Sequence, residues 1–159
     1  MKKKLFVDKS ICTGCCYCEA ICSLVHSCDN QVNPRCTRIV VHQDLANGNF
    51  TPVVCKQCVK PVCMEACEFD AMSINSLLGI PTIDSQKCTG CMACLEACPF
   101  GAIFFDGEQG VAIMCDLCGG EPQCVRFCRA LPQVGYAAIA YVTPGEWSKR
   151  RARLVSAKE

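Results

Sequence analysis

The sequence contains few of the residues from which a large hydrophobic core is usually built. Aromatic residues make up 7% of the 159 positions, with one tryptophan, and there are two histidines. No apolar run approaches the ~18 residues of a membrane span, and the apolar stretch after MKKK is too short for a signal peptide. We therefore expect a cytoplasmic protein with no membrane span and no export signal.

The charge balance gives little reason to expect a nucleic-acid partner. The formal net charge is +1, and the densest basic segment is KRRAR at 149–153. We interpret residues 146–159 as a solvated basic C-terminal tail, because a charge run at a chain end commonly stays in water. A docking contact for a partner or for another copy of the chain is the alternative interpretation.

What the sequence has in excess is cysteine. Nineteen residues are cysteine, a share above the ~8–10% that marks a cysteine-built scaffold. Disulfides are disfavoured because a cytoplasmic compartment is reducing, so a cysteine-dense chain there indicates metal binding. An odd number of cysteines also fits poorly with complete internal pairing.

Sixteen of the cysteines fall into four groups with a shared pattern. Each group opens with C-x2-C and closes with C-x3-C, and the gap between the two pairs is 2, 4, 2 and 5 residues. Glycine at Gly14 and Gly90 relieves two of the tight turns. The groups are Cys12, Cys15, Cys18 and Cys22; Cys55, Cys58, Cys63 and Cys67; Cys88, Cys91, Cys94 and Cys98; and Cys115, Cys118, Cys124 and Cys128.

The first group contains a fifth cysteine, which alignment with the third group identifies as the spare one. CTGCCYCEAIC matches CTGCMACLEAC position by position, and Cys16 falls opposite Met92. A position that holds methionine in one copy is a poor candidate for an essential ligand in the other. Cys28 and Cys36 also lie outside the groups, and we expect all three to be free thiols.

The spacing is typical of iron–sulfur proteins. C-x2-C-x2-C-x3-C is the bacterial [4Fe–4S] run, and in two-cluster ferredoxins its fourth cysteine binds the other cluster. A short helix over each closing C-x3-C would then carry one sulfur to each of two clusters. Four groups supply ligands for four [4Fe–4S] clusters. Zinc is the alternative, since C-x2-C pairs also build structural zinc sites.

Between the cysteine groups the sequence alternates short helices with β-hairpins. We expect a strand at 3–8, a helix at 18–26, and hairpins that follow each of the first three groups. The final strand is expected at 138–142. This pattern predicts an α+β fold of two ferredoxin-like dicluster modules with short helices and β-hairpins around four clusters. The predicted hairpins pair 38–44 with 49–54, AMSIN with IPTID, and AIFFD with GVAIM.

The four motifs together resemble a known family over roughly residues 4–142. CTGCCYCEAIC, CKQCVKPVCMEAC, CTGCMACLEACPFGAI and CDLCGGEPQCVRFC are similar to the four-cluster electron-transfer subunits of dimethyl-sulfoxide-reductase-type enzymes, hydrogenases, CO dehydrogenases and tungsten aldehyde oxidoreductases. The compact chain resembles the small subunits of tungsten aldehyde oxidoreductase complexes, among others. Arg129 departs from the family pattern, in which proline commonly follows the last cysteine.

The resemblance implies which cysteines share each cluster. The family pairs group one with group four and group two with group three. It also implies one compact domain, residues 1–159, with an inner module at about 50–105 and an outer module at about 1–49 plus 106–145. The implied ligand sets are Cys12, Cys15, Cys18 and Cys128 for cluster A; Cys22, Cys115, Cys118 and Cys124 for cluster B; Cys55, Cys58, Cys63 and Cys98 for cluster C; and Cys67, Cys88, Cys91 and Cys94 for cluster D.

The implied function is electron transfer without catalysis of its own. Electrons would pass between a tungsten- or molybdenum-pterin oxidoreductase subunit, with an aldehyde oxidoreductase as the first choice, and a flavin subunit or ferredoxin. Further copies of the chain are another candidate partner, and an anaerobic host is implied. The alternatives are a free-standing polyferredoxin, a subunit of a hydrogenase, CO dehydrogenase or formate dehydrogenase, a non-redox metal protein, and a redox sensor.

No catalytic constellation accompanies the cysteines. His26 and His42 are far apart in sequence and are expected at the surface or at a helix end. Glu19, Glu65 and Glu96 lie within the expected cysteine helices, where we expect solvated side chains, with tuning of cluster potential as the alternative. The chain is therefore expected to depend on another subunit for substrate chemistry.

Overall fold

The structure is a computed structural model that describes residues 2–129 and 135–156. Short helices and small sheets alternate along the chain, which confirms the α+β fold class. None of the described helices is both long and apolar enough to cross a membrane. Below, residues 50–105 are called the inner half and the other described residues the outer half.

The strands form four separate two-stranded antiparallel sheets. Three are hairpins between strands adjacent in sequence, as predicted, and the fourth joins the first strand to the last, which the sequence did not predict. In that sheet Lys4 lies opposite Val142 and Val7 opposite Ile139. The pairs are β1 Lys4–Val7 with β8 Ile139–Val142, β2 Ile39–Asp44 with β3 Asn49–Val54, β4 Met72–Ile74 with β5 Pro81–Ile83, and β6 Ile103–Asp106 with β7 Val111–Met114.

The four cysteine-bearing helices are short, and each begins close to the third cysteine of its group. The first is ten residues long, whereas the others have four or five. Isolated helices of this length are unstable in water, so tertiary contacts or bound metal must hold them. The helices are α1 Tyr17–His26, α2 Val62–Glu65, α3 Ala93–Ala97, α4 Gln123–Phe127 and α5 Pro144–Ser156, and 3-10 turns cover Lys9–Ile11, Pro34–Cys36 and Leu117–Gly120.

The segment expected as a solvated tail is helical where the structure describes it. Helix α5 begins with a capping box: Glu146 N–H donates to the Thr143 hydroxyl, and Thr143 N–H donates to the Glu146 carboxylate. Pro144 occupies the first helical position, where its missing N–H costs nothing. Trp147 then stacks on Phe6 of β1 with ring centroids 5.1 Å apart. The helix is thereby held against the β1–β8 sheet.

The core consists of aliphatic side chains interleaved with cysteines. Ile39, Val54, Leu117 and Ile139 are almost fully buried, and they belong to one continuous cluster that also includes buried cysteines from all four groups. Burying one such aliphatic side chain contributes about 1.5–3 kcal/mol. Because few such residues are available, the cysteine sulfurs and what they bind fill much of the interior.

Candidate metal centres

The four C-x2-C loops share one backbone feature. The residue before the second cysteine has a positive φ in every loop: 68° at Gly14, 52° at Gln57, 71° at Gly90 and 58° at Leu117. Glycine adopts this region without cost, whereas other residues are strained there. The turn that presents two sulfurs to one site is therefore a property of the motif, and glycine is only one way to make it.

At two of these positions the neighbours also limit side-chain size. A Cβ atom at Gly90 would lie 2.3 Å from the backbone carbonyl oxygen of Gly110, and one at Gly14 would lie 2.4 Å from the Phe50 ring. The Gly110 contact is with backbone, which cannot rotate away. Packing therefore requires glycine at position 90, and the positive φ also favours it.

The sixteen grouped cysteines surround four cavities. Of the grouped cysteines, three from one group and a fourth from a different group line each cavity. Cavity A is lined by Cys12, Cys15, Cys18 and Cys128, and also by the ungrouped Cys16; cavity B by Cys22, Cys115, Cys118 and Cys124; cavity C by Cys55, Cys58, Cys63 and Cys98; and cavity D by Cys67, Cys88, Cys91 and Cys94.

The cysteine helices connect these cavities in pairs. Helix α1 carries Cys18 to cavity A and Cys22 to cavity B. Helix α4 packs against α1 and runs the other way between the same cavities, from Cys124 to Cys128. Helices α2 and α3 pack together and connect cavities C and D in the same manner. Each pair of cavities is therefore joined twice.

Cavities B and C are adjacent as well, which places all four in the order A, B, C, D. Val54 and Cys55 are consecutive, and the first lines cavity B while the second lines cavity C. Met114 and Cys115 line cavities C and B in the same way. Of the sixteen grouped cysteines, all within the described residues, two are exposed. These are Cys15 in cavity A and Cys91 in cavity D, so exposure is confined to the two ends.

Without a bound metal the buried sulfurs are neutral thiols at pH 7. Burial, reinforced by neighbouring charged groups, raises the pKa of Cys18 and of Cys115 to about 12. Burial and neighbouring sulfurs raise the pKa of Cys55 and of Cys94 to about 11. Several thiols that share one cavity, some of them buried, are costly to ionise unless a cation neutralises them, which is the situation that thiolate-bound metal creates.

Backbone N–H groups point at several of these sulfurs. Arg38 N–H donates to Cys22 Sγ at 3.2 Å and Ala112 N–H donates to Cys88 Sγ at 3.4 Å. Ala102 N–H donates to Cys98 Sγ at 3.5 Å, and Gln57 N–H to Cys55 Sγ at 3.4 Å. Such donors stabilise ligated thiolates and tune cluster potential. Thiol-lined cavities, with N–H groups aimed at sulfurs of cavities B, C and D, therefore fit [4Fe–4S] clusters.

Cavity B has a charged group beside it that sequence reasoning missed. His26 Nδ1 lies 2.8 Å from the Cys22 carbonyl oxygen, and its Nε2 lies 3.2 Å from Asp116. Arg38 pairs with the same carboxylate. His26 was expected at the surface or at a helix end, and it does end α1, but its side chain is only 10% exposed.

The imidazole and the carboxylate in this cluster hold each other ionised. Burial alone would lower the pKa of His26, but its hydrogen bonds to Asp116 and Cys22 outweigh burial and raise the pKa to about 9. Burial acts to raise the pKa of Asp116, yet His26 and Arg38 bring it well below the usual range. His26, Asp116 and Cys118 also bring ligand-type atoms within 4.8 Å of one another, but Cys118 lines cavity B, so this group belongs to that site.

Glu19, the acidic residue of α1, is not simply solvated. It accepts a hydrogen bond from Val41 N–H and ties α1 to β2. Glu65 and Glu96 are exposed, as expected. His42 is exposed on β2.

The three ungrouped cysteines lie in different environments. Cys16 has a φ of 56° and the equivalent Met92 has 64°, so the two groups match in conformation here as well as in sequence. The Cys16 sulfur accepts a hydrogen bond from Gln43 Nε2 at 3.0 Å. Cys28 is exposed and Cys36 is buried, and all nineteen cysteines are free thiols in the structure.

Four cavities in a row, each lined by four of the grouped cysteines, define a class: iron–sulfur proteins that carry electrons. Residues 46–133 match the family described as 4Fe-4S dicluster domain. The chain belongs to this family, and it functions as a non-catalytic iron–sulfur electron-transfer protein. Its repeated cysteine spacing and α+β fold agree with this membership.

Named relatives are consistent with this class. The chain is 36% identical over 139 residues to the "Aliphatic sulfonate oxidoreductase, polyferredoxin-like subunit" of Pyrococcus furiosus, covering 87% of this chain and 77% of the relative. It is 38% identical over 114 residues to a tetrathionate reductase subunit of Archaeoglobus fulgidus, covering 70% of this chain and 53% of that relative.

The chain also aligns with a chain of the "Active site complex BamBC of Benzoyl Coenzyme A reductase in complex with Zinc". The TM-score is 0.49 at 23% identity, covering 97% of this chain and 90% of that one. This likeness concerns the fold alone.

Proposed function

We propose that the chain is the electron-transfer subunit of an oxidoreductase complex and that it binds four [4Fe–4S] clusters. The ligand sets are those of cavities A to D. We keep the division into an inner module at about 50–105 and an outer module at about 1–49 plus 106–145 as part of this proposal. The observation that carries it is the meeting of sixteen cysteines from four sequence groups at four cavities in a row.

The arrangement suits a relay with an entrance and an exit. A bound [4Fe–4S] cluster supplies a one-electron redox centre. The chain holds its thiols at fixed positions, shields the inner sulfurs from water and aims N–H donors at four of them. Because the exposed ligands Cys15 and Cys91 belong to the end cavities, partners would exchange electrons at A and at D.

The catalytic partner in this proposal is a tungsten- or molybdenum-pterin subunit. The support is the resemblance to electron-transfer subunits of such enzymes and the names of two relatives, one from a sulfonate oxidoreductase and one from a tetrathionate reductase. An aldehyde oxidoreductase remains our specific proposal for the partner. A flavin subunit or a ferredoxin would be the second partner.

A free-standing polyferredoxin that shuttles electrons between enzymes is the second candidate. The structure offers one observation in its favour: both end cavities reach the surface of the single chain. The two candidates differ in whether the chain is permanently bound to a large subunit, and purification from the native host separates them.

The test is anaerobic purification with metal analysis. We expect about sixteen iron atoms per chain, the content of four cubane clusters, and co-elution of a large subunit containing tungsten or molybdenum. Far fewer iron atoms after full reconstitution, or stoichiometric zinc in a colourless preparation, would contradict the proposal. A fully loaded chain that never co-elutes with a large subunit would support the free-standing alternative.

A further inference from the structure

The surface of the outer half carries a concentration of positive charge. Residues 2–9 and 144–153 contain eight lysine and arginine residues against two carboxylates, Asp8 and Glu146, and Asp8 is buried. These eight are half of the sixteen basic residues in the chain. The charge therefore lies on two segments distant in sequence.

The fold brings these two segments together. Strand β1 pairs with β8, and helix α5 follows β8 and stacks Trp147 on Phe6. Lys3 and Arg150 both act electrostatically on Glu146, which confirms that the two segments are neighbours. We call residues 2–9 and 144–153 together the basic face.

The basic face lies beside cavity A. Tyr136 packs with Ile11 and Ala138, next to two cysteines of cavity A. Arg150 and Arg151 act electrostatically on that same Tyr136. Arg129 lines the cavity itself. The positive charge is therefore grouped around the outer end of the proposed relay.

The inner half has a different surface. Of the twelve large hydrophobic side chains exposed among the described residues, seven lie between 50 and 105 and none lies on the basic face. Phe69 and Met92, 47% and 41% exposed, line cavity D. Residues 50–105 also carry five carboxylates against three lysines.

These two surfaces suit two kinds of complex. Permanent interfaces are more apolar than transient ones, whereas short-lived redox complexes use small, wet, charge-matched contacts. Charge of one sign around a surface site where electrons are exchanged raises the association rate of an oppositely charged protein by ~10- to 1000-fold at low salt. The apolar surface at cavity D suits the permanent catalytic subunit, and the basic face suits a transient acidic partner.

We propose that the basic face is a docking surface for a small acidic electron-carrier protein, which exchanges electrons through cavity A. This inference rests on the proposed relay function and assigns a partner to one of its ends. A second copy of the chain is a weaker candidate, because its acidic and apolar inner half would be covered by the catalytic subunit. An anionic membrane surface would not need a redox cavity beside it.

The test uses the holoprotein, in its complex, with an acidic two-cluster bacterial ferredoxin as the probe. The variant Lys9→Gln/Lys149→Gln/Arg151→Gln removes three exposed charges from the basic face. The matched control Lys56→Gln/Lys60→Gln/Lys87→Gln removes three exposed charges from the inner half. Association is followed by surface plasmon resonance and, separately, by stopped-flow electron transfer.

We expect the basic-face variant to associate about tenfold more slowly at low ionic strength and to approach wild type at ~0.5 M salt, where charges are screened. The control variant should stay within about twofold of wild type. Equal effects of the two variants, a larger effect of the control, or association that does not depend on salt would overturn the proposal.

Other occupants give distinguishable results. Mass photometry that shows multimers in wild type but not in the basic-face variant would assign the face to a second copy. Binding to phosphatidylglycerol vesicles that the variant abolishes, with ferredoxin association unchanged, would assign it to a membrane. Iron content is measured on every sample. Surface plasmon resonance detects docking without electron transfer. If the proposed relay function is wrong, iron or electron transfer will therefore be missing while docking remains.

Discussion

The inner and outer halves of the molecule use the same cysteine spacing but differ in what supports it. In the inner half, α2 and α3 have four and five residues. In the outer half, α1 has ten residues, and the β1–β8 sheet and α5 cover one side of the site. The cysteine spacing is therefore repeated, whereas the charge and the exposed hydrophobic surface are not. A repeated motif fixes the sulfurs and leaves their surroundings free to diverge.

Removing the metal should have the largest effect, and the loss of amide protection should differ between the inner and outer halves. After iron is stripped with ferricyanide and EDTA, we expect the inner half to lose nearly all amide protection, because its helices are too short to persist alone. The β1–β8 sheet and α5 should keep measurable protection, since the Phe6–Trp147 stack does not involve a cysteine. Hydrogen exchange with mass spectrometry measures this, with the holoprotein as reference. Uniform loss of protection would show that the halves do not differ.

Replacing one cavity A cysteine should have the next largest effect. Cys12→Ala should lose or convert one cluster, which lowers iron by up to about a quarter of the ~16 atoms that four cubanes contain. Cys16→Ala is the matched control and should keep the full iron content, because methionine occupies the equivalent position in the inner half. Iron analysis and the EPR spectrum of the reduced protein report both. Unchanged iron and EPR in Cys12→Ala would contradict the ligand assignment.

The equivalent glycines of the two halves allow a closer comparison. Gly14→Ala and Gly90→Ala should each lower the free energy of unfolding by about 1–2 kcal/mol, because a residue with a Cβ atom is strained at a positive φ. Gly90→Ala should lose more, because its Cβ meets the backbone of Gly110 whereas the Gly14 Cβ meets a ring that can rotate. Anaerobic thermal unfolding of the holoproteins tests the order. A larger loss for Gly14→Ala would mean that Phe50 is held more rigidly than Gly110.

Substituting Arg38, in the charged group beside cavity B, should have the smallest effect. It should change the reduction potential of the cluster and leave the iron content unchanged. Arg38→Gln removes a cation next to Cys22 and leaves the Asp116 carboxylate less compensated, so the potential of that cluster should fall by on the order of 1 kcal/mol per electron. The control is Arg35→Gln, whose pair with Glu108 is 65% and 59% exposed and should contribute little. EPR-monitored redox titration measures this potential. An equal shift of the potential in both variants would exclude a specific role for Arg38.

Part of this structure could be predicted because it is local. The hairpins at β2–β3, β4–β5 and β6–β7 and the helix at α1 follow from turn residues and short patterns, and the sequence contained them. Helix α5 was also encoded locally: Thr143, Pro144 and Glu146 are the start signal of a helix. The basic run at 149–153 indicates a solvated segment, whereas the capping box ahead of it specifies a helix.

Other features of the site had no local signal. The left-handed residues of two loops are Gln57 and Leu117, and nothing in their identity indicates a positive φ. His26 and Asp116 are 90 residues apart in sequence, and Arg38 reaches the same carboxylate from the segment that leads into β2. Their meeting depends on how α1, β2 and the fourth cysteine group pack, which spacing alone does not specify.

The amino-acid sequence by itself determined that the chain is an iron–sulfur protein, because cysteines repeated at these short spacings have few other uses. It also set the alternation of short helices and hairpins. The tertiary structure alone decided the order of the four cavities, which two open to solvent, and which charges surround each. Those properties arise from contacts between segments far apart in the chain, where the geometry of packing and not the local backbone selects the neighbours.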